Sequence, residues 1–139
     1  MLMGEYRHNM DAKGRVTVPS GYRKELGETF YVSKGLDGCL TLYSEKEWLR
    51  RVERINACPE AEVKDIRRFV FAATEQVTCD KQGRVLISPV LRAHAGLTKD
   101  VTVIGTGLTA EIWDTGRWIK YNEEMSIADI EADMSALQI

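Results

Sequence analysis

The chain has no long apolar run and little cysteine, and both absences narrow its class. No stretch approaches the ~20 apolar residues that cross a bilayer, so a transmembrane helix is not expected. The N-terminus is polar and charged where a signal peptide needs an apolar centre, so no such peptide is expected. The three cysteines, Cys39, Cys58 and Cys79, show no CxxC spacing. A disulfide framework or a zinc knuckle is therefore not expected, and reduced thiols in the cytoplasm are the natural interpretation.

Basic residues are missing from one end of the chain. Residues 123–139 contain five acidic side chains and no Lys or Arg, whereas the whole chain has a net charge of −2. The preceding residues carry 19 basic and 16 acidic side chains, a net charge of +3. A mildly basic body with an acidic tail is compatible with a polyanionic partner. A solvated surface with a solubilising tail explains the same charges, so composition does not decide function.

One segment of the chain occurs twice. Residues 11–29 align without gaps to residues 80–98, and seven of nineteen positions are identical. The identical pairs are Asp11/Asp80, Gly14/Gly83, Arg15/Arg84, Val16/Val85, Arg23/Arg92, Gly27/Gly96 and Thr29/Thr98. Average composition would give roughly one identity by chance. The chain therefore consists of two copies of one unit of about 45 residues.

Each copy is predicted to be mostly β-structure. The segments EYRHNM and RVTV are expected to form a hairpin through DAKG, in which Asp11 starts a type I turn and Gly14 closes it. A short helix over residues 20–26 then ends at Gly27, and FYVSK and CLTLY form a second hairpin. The second copy repeats this pattern with EQVTC, RVLIS, the helix VLRAHA, VTVIG and AEIW.

Helices are predicted between and after the two copies. Ser44 and Glu47 form a capping box, and Pro59 opens a second linker helix. Asp114 and Ser126 cap two further helices. The last helix has one apolar face, formed by Ile127, Ile130, Met134 and Leu137. We expect this face to pack on the body of the protein rather than to bind a membrane or a partner.

The predicted fold class is α+β, mainly β. A unit this small does not bury a core alone, so the two copies are expected to complete one core about a pseudo-twofold axis. The expected organisation is a first unit at 5–47, linker helices at 48–75, a second unit at 76–119 and an acidic helical tail at 120–139. Strand edges or the linker helices also invite self-association.

The motif Asp-x-x-Gly-Arg occurs in both copies and is the main candidate for a functional site. A turn explains the Asp and the Gly, but it requires only some polar residue where the Arg stands. Paired about a twofold axis, the two hairpins can gather cations on one face: Arg7, Lys13, Arg15, Arg23, Lys81, Arg84 and Arg92. A two-stranded ribbon fits the DNA major groove, where arginine bonds guanine or phosphate. From the residues alone, DNA contact and a structural Asp–Arg pair remain equally open.

The repeated D-x-x-G-R-V-x-[VI] motif, followed by a short helix, resembles the AbrB-type (SpoVT-AbrB) swapped-hairpin family of DNA-binding proteins. Two such units in one short chain, with VLISPVLRAHAGL and EIWD in the second, are similar to the MraZ family. The resemblance covers nearly the whole chain and is weakest in the acidic tail. It implies two tandem swapped-hairpin units that form a pseudo-twofold barrel.

The same resemblance implies a function. Proteins of this family are bacterial transcriptional regulators of the division and cell-wall gene cluster that begins with their own gene. They bind tandem repeats of double-stranded DNA upstream of that cluster, and they form ring-shaped oligomers. We therefore expect a cytoplasmic, nucleoid-associated repressor that assembles into a ring, an octamer or a dodecamer, and that needs no cofactor.

The resemblance also implies roles for individual residues. The family's Asp-x-x-x-Arg motifs fall on Asp11 to Arg15 and on Asp80 to Arg84. The residues expected to contact DNA are Arg15 and Arg84, helped by Lys13, Arg7, Lys81 and Arg23. The residues expected to orient the motifs are Asp11, Asp80, Gly14 and Gly83. The second loop has Gln82 in place of Lys13, so the two loops need not contribute equally.

Catalysis and protein binding are the two other classes of function that the sequence raises. Catalysis is not expected, because Asp11 and Asp80 each adjoin an Arg, which favours ionised acids over a shared proton. His8 and His94 lie at non-equivalent positions of the copies and show no metal-ligand pattern. The alternative is an antitoxin-like protein-interaction module that uses the last helix for its partner and binds DNA secondarily. Removal of residues 123–139 distinguishes this alternative from the regulator.

Overall fold

A computed structural model describes all 139 residues as a mixed α+β protein with eight strands and six helices, so the predicted α+β class is confirmed. The first repeat contributes β1 (Glu5–Asn9), β2 (Arg15–Thr17), α1 (Ser20–Leu26), β3 (Thr29–Lys34) and β4 (Leu40–Ser44). The linker contributes α2 (Glu45–Asn56) and α3 (Glu60–Phe71). The second repeat contributes β5 (Glu75–Thr78), β6 (Arg84–Leu86), α4 (Pro89–Ala95), β7 (Asp100–Gly105) and β8 (Ala110–Asp114). The chain ends with α5 (Thr115–Glu124) and α6 (Ile127–Leu137).

The predicted hairpin between the first two strands is wrong as a strand pairing. The turn forms, because the Gly14 N–H donates to the Asp11 carbonyl at 3.0 Å. The two strands then take different partners: β1 pairs with β7, and β2 pairs with β6. The predicted hairpin of the second repeat is wrong in the same way, because β5 pairs with β3 and β6 pairs with β2. Pairing β2 with β6 places Val16 opposite Val85, and both side chains are fully buried. Burial of apolar surface from both repeats in one core therefore favours the exchange over a local hairpin.

The other local predictions are confirmed. β3 pairs with β4 and β7 pairs with β8, each as an antiparallel hairpin. α1 ends at Gly27, whose N–H donates to the carbonyl of Arg23. The capping side chains of Ser44, Asp114 and Ser126 each accept a hydrogen bond from a backbone N–H in the first turn of the helix that follows. Such caps satisfy N–H groups that the helix itself leaves without acceptors.

The sheet order has the symmetry of the repeat. Six strands form one antiparallel sheet in the order β1-β7-β8-β4-β3-β5, and β2 and β6 form a separate two-stranded ribbon. Exchanging each strand of the first repeat for its equivalent in the second gives the same order read from the other end. The ribbon consequently contains one strand from each repeat, so every residue on it has a counterpart on the facing strand.

Three clusters of buried apolar residues hold the elements together: Cys39, Ile104 and Trp113 form the smallest, and the other two lie under the ribbon and the linker helices. The larger contains eighteen residues from both repeats, including Val16, Phe30 and Leu42 from the first and Val85 and Ile112 from the second. The smaller lies under the linker helices and consists of Tyr43, Trp48, Ile55, Val63 and Val70. The ribbon therefore rests on a core that both repeats build, whereas α2 and α3 have a core of their own.

The prediction that α6 packs on the body is wrong. Every residue from Ile127 onward is exposed, including the whole apolar face formed by Ile127, Ile130, Met134 and Leu137. The helix forms because Ser126 caps it, but amphipathic spacing alone does not create a surface that matches it. No helix of the chain combines the length and the apolar character that crossing a bilayer requires.

Candidate nucleic-acid interface

The β2–β6 ribbon presents a four-residue outer face. Val16 and Val85 point into the core with no exposed surface, so their strand neighbours point outward. The register pairs Arg15 with Leu86 and Thr17 with Arg84. Directly opposed residues lie on the same face of an antiparallel pair. The two arginines therefore occupy one diagonal of the face, and Thr17 and Leu86 occupy the other.

The first loop uses the Asp11 carboxylate to fix Arg15. Asp11 Oδ1 accepts hydrogen bonds from the backbone N–H groups of Lys13 and Arg15, each at 2.9 Å. Asp11 Oδ2 accepts a third bond from Arg15 Nε at 2.6 Å. The loop closes with a bond from the Asp11 N–H to the Arg15 carbonyl at 3.0 Å. Charge-assisted bonds of this kind are short and directional, so they set the direction of the guanidinium.

The second loop repeats this arrangement. Asp80 Oδ1 accepts from the N–H groups of Gln82 at 2.9 Å and Arg84 at 3.0 Å. Asp80 Oδ2 accepts from Arg84 Nε at 3.0 Å. The predicted pairing of each aspartate with the arginine four residues later thus forms in both repeats. Since lysine lacks an Nε–H that could reach the carboxylate in this way, the geometry is specific to arginine.

One ion pair crosses between the repeats and makes the two loops unequal. Arg84 Nη1 lies 3.5 Å from Asp11 Oδ2, in addition to its bond with Asp80. The structure has no matching pair between Arg15 and Asp80. Backbone bonds cross as well, because the N–H of Val18 donates to Gly83 and that of Ile87 donates to Gly14. Arg84 is consequently held by two carboxylates, whereas Arg15 is held by one and keeps both terminal nitrogens free.

An arginine from the other repeat lies over each loop glycine. Gly14 has a φ of 86° and Gly83 a φ of 76°, a region that side chains disfavour. A Cβ built on Gly14 would stand 2.8 Å from Cζ of Arg92, and one on Gly83 would stand 2.8 Å from Cζ of Arg23. Arg23 and Arg92 therefore bring two further guanidinium groups to the loops, and they do so across the repeats.

Gly14→Ala is expected to lower the free energy of unfolding by about 1–2 kcal/mol, because alanine is strained at a positive φ. Its methyl group also displaces the Arg92 guanidinium from the loop. Gly21→Ala is the matched control, since Gly21 lies in α1 with no atom within 4 Å of a built Cβ. That variant is expected to be as stable as the parent or slightly more so. Equal stability of the two variants in urea unfolding would contradict this account of the loop.

Both loop aspartates are more acidic than usual. The hydrogen bond from the Arg15 backbone N–H is the main cause that lowers the pKa of Asp11 from 3.8 to about 2. The equivalent bond from Arg84 lowers the pKa of Asp80. Both carboxylates are therefore ionised near neutral pH, and each already accepts three hydrogen bonds. An ionised, fully bonded pair is unlike the proton-sharing pair of an acid hydrolase.

A lowered pKa has a defined consequence for the pH dependence of stability. The Asp11 loop contributes its stabilisation above pH 3.8 and loses it as the pH falls toward 2. We expect the Asp11 carboxyl carbon to titrate near pH 2 by NMR. In Arg15→Ala its pKa is expected to rise but to stay below 3.8, because the Arg15 backbone bond remains. A midpoint at or above 3.8 in the parent protein would contradict the loop geometry.

The other cations predicted to contact DNA lie outside the two strands of the ribbon. Lys13 and Lys81 are exposed within the two loops and form no ion pair. Arg7 lies on β1, opposite Thr102 of β7, and is therefore on the six-stranded sheet instead of the ribbon. It lines a surface cavity of about 300 Å³ together with His8, Asn9, Asp100 and Thr115.

Two residues of the ribbon's outer face, Leu86 and Thr17, are not among the site residues that the sequence predicts. Leu86 is 57% exposed beside Arg15, and Thr17 is half-buried beside Arg84. Aligning the repeats pairs Thr17 with Leu86, so the substitution was visible as a difference between the copies. Its position became meaningful only with the strand register. His94 packs within the fold, since its Nε2 lies 2.9 Å from the Gly35 carbonyl and its ring contacts the Phe69 ring.

The fold and this site define a tandem-repeat α+β protein whose repeats jointly build one arginine-bearing ribbon. The family model described as "MraZ protein, putative antitoxin-like" matches the chain twice, over residues 1–67 and 70–138. A protein named transcriptional regulator MraZ from Heliobacterium modesticaldum is 48% identical over 126 residues, which are 89% of this chain and 88% of the relative. Proteins of the same name from Acetivibrio thermocellus and Caldicellulosiruptor bescii are 46% and 45% identical, each over the full length of both chains. The chain belongs to the MraZ family.

Proposed function

We propose that this protein is a sequence-specific DNA-binding transcriptional regulator. Its target is double-stranded DNA with tandem repeats upstream of its own gene, at the start of the bacterial division and cell-wall gene cluster. It acts there as a repressor, in the cytoplasm and on the nucleoid. The names of its relatives support the general class, and the resemblance of the motifs supports the particular operon.

The outer face of the ribbon is the observation that carries this proposal. Arg15 and Arg84 project from it with side chains that are 30% and 27% exposed, and each is oriented by an aspartate. A two-stranded ribbon has the width to enter the major groove, where arginine bonds the N7 and O6 edge of guanine with two N–H groups. Bases are read by the arginines, while Lys13, Lys81 and Arg23 hold phosphates. Arg7 extends the contact along the backbone of the duplex.

The two repeats are proposed to act as interlocked swapped-hairpin units, at 5–47 and 76–119, around one pseudo-twofold barrel. The linker at 48–75 and the tail at 120–139 lie outside these units. Strand exchange between β2 and β6 and the shared core support this organisation. It leaves one composite DNA-binding face per chain, to which both repeats contribute.

Several chains are proposed to assemble into a ring, an octamer or a dodecamer. Because one chain has a net charge of −2, it offers only a small basic face to a polyanion. A ring presents several such faces to consecutive DNA repeats, and binding at one site raises the effective concentration at the next. Because a flat ring does not match a straight duplex, either the DNA bends or the ring deforms on binding.

Fluorescence anisotropy with a duplex from upstream of the gene tests this function. A scrambled duplex of equal length and composition is titrated beside it over a range of salt concentrations. The proposed regulator binds the upstream duplex more tightly and loses affinity steeply as salt rises. Equal, weak binding to both duplexes would reduce the contact to nonspecific electrostatics, and no binding would leave the Asp–Arg loops a structural role only.

One observation favours a second candidate function, an antitoxin-like module that binds a protein partner. The apolar face of α6 is exposed, and the helix carries acidic residues but no Lys or Arg. Deleting residues 123–139 separates the two functions. Loss of a captured partner with DNA binding retained would favour the module. Unchanged partner binding would remove α6 from this role.

A further inference from the structure

The outer face of the ribbon is symmetric except at one pair of positions. Exchange of the repeats carries Arg15 onto Arg84 and Thr17 onto Leu86. One diagonal of the face is therefore the same residue twice, while the other combines a hydroxyl with an aliphatic side chain. A duplex contacting this face meets different chemistry at its two ends.

The Leu86 end of this face is apolar and open. Leu86 is 57% exposed, although the ribbon offers it no apolar neighbour on the outer face. Four residues further on, Val90 is 56% exposed, and its counterpart in the first repeat is Gly21. The second repeat therefore places exposed aliphatic side chains where the first has a small polar residue and a glycine.

We propose that Leu86 contacts the 5-methyl group of a thymine when the ribbon lies in the major groove. This inference rests on the proposed function and deepens it. The thymine methyl is the one apolar group that bases display in that groove, and aliphatic side chains are its usual contacts. The flanking cations of Arg15 and Arg84 favour a duplex over an apolar protein surface as the occupant. Thr17 has a smaller methyl group and a hydroxyl that bonds several base edges, so it discriminates less.

The pair Thr17 and Leu86 consequently gives the pseudo-symmetric face a direction on the duplex. A fully symmetric face would bind a site equally well in both orientations. Because Leu86 contacts a thymine on one side only, one orientation is preferred. Each chain of an assembly can then bind successive DNA repeats in the same orientation.

The experiment uses the full-length protein and a single-site duplex in which each thymine is replaced in turn by deoxyuridine, which lacks only the methyl group. The parent protein is expected to bind about fourfold more weakly at one position, the effect of losing one buried methyl group. Leu86→Ala is expected to bind the thymine and deoxyuridine duplexes equally. Leu86→Asn keeps the size of the side chain but ends in a polar amide, and it is expected to lose the discrimination as well. Leu36→Ala, at another exposed leucine, is expected to keep it.

The outcomes separate this inference from the function on which it rests. If the parent protein binds the single-site duplex no more tightly than a scrambled duplex, the proposed function fails and the inference fails with it. If the parent is selective but no deoxyuridine changes its affinity, only the thymine contact is overturned. If folded Leu86→Ala still discriminates at the same position, another residue makes the contact and the assignment to Leu86 is overturned. Loss of discrimination in both Leu86 variants, with their melting temperatures unchanged, supports it.

Discussion

Arg15→Ala is expected to lose about 1–3 kcal/mol of binding free energy per site on the upstream duplex while it keeps its fold. The guanidinium has only one protein partner, Asp11, so both terminal nitrogens are free for a base. The loop stays closed because the Arg15 backbone N–H still donates to Asp11. Anisotropy titrations against the upstream and scrambled duplexes, with circular dichroism as a check on folding, measure the loss.

Two controls give this result its meaning. Arg7→Ala removes the same charge from β1 and is expected to weaken binding much less, since Arg7 is not on the ribbon. Arg84→Ala removes a partner of Asp11 as well as a proposed DNA contact, so it is expected to lower stability together with affinity. If Arg15 contacts only a phosphate, Arg15→Ala lowers the affinity equally for all duplexes. The dependence of that affinity on salt concentration then becomes weaker as well. If Arg15→Ala does not fold, the ion pair between Arg15 and Asp11 serves the fold and not DNA binding.

Trp48→Ala is expected to lower the free energy of unfolding by about 3–5 kcal/mol, the largest effect of any variant considered. The ring is 8% exposed and stacks on Tyr31 at a centroid distance of 5.3 Å. It also meets Tyr43 and Phe71 edge-on at 5.6 and 5.8 Å. Truncation leaves a cavity between the linker helices and the sheet. Urea unfolding measures the loss.

The second repeat provides the matched control. Trp118 is the counterpart of Trp48, because each is the fourth residue of the helix that follows the last strand of its repeat. Trp118 is only half-buried, however, and its Nε1 donates to Glu5 at 2.8 Å. Trp118→Ala is therefore expected to lower stability by less than Trp48→Ala. Folded Trp48→Ala protein is expected to keep the affinity of a single site, because α2 belongs to a different core from the ribbon. Equal losses in the two variants, or full stability of Trp48→Ala, would contradict the packing described for the linker.

Local features of the fold could be predicted from the sequence, and long-range ones could not. The caps at Ser44, Asp114 and Ser126 depend on three or four neighbouring residues, so their signals are contained in the sequence itself. The exchange of β2 is different, because the turn from Asp11 to Gly14 is the same whether the strand pairs locally or with β6. An apolar stripe such as that of α6 likewise does not identify the surface it binds.

The candidate site shows the same division. The bonds from Arg15 to Asp11 and from Arg84 to Asp80 span four residues within one turn, and the repeated motif predicts them. The contact from Arg84 to Asp11 depends on how the repeats cross. The placement of Leu86 opposite Arg15 depends on the register of two strands that lie far apart in the chain. Neither feature has a signature in either repeat taken alone.

The pairing of β2 with β6 also constrains how the protein folds during synthesis. Val16 and Val85 are 69 residues apart, so the ribbon has to wait until its second strand has been translated. At about 5–20 residues per second this interval lasts several seconds. During that time the first repeat lacks the partners of β1 and β2, although β3 already has β4 to pair with, and its valines stay accessible to chaperones and proteases. Contacts over such separations also slow folding. The first repeat therefore completes its fold only after the second repeat has been synthesised.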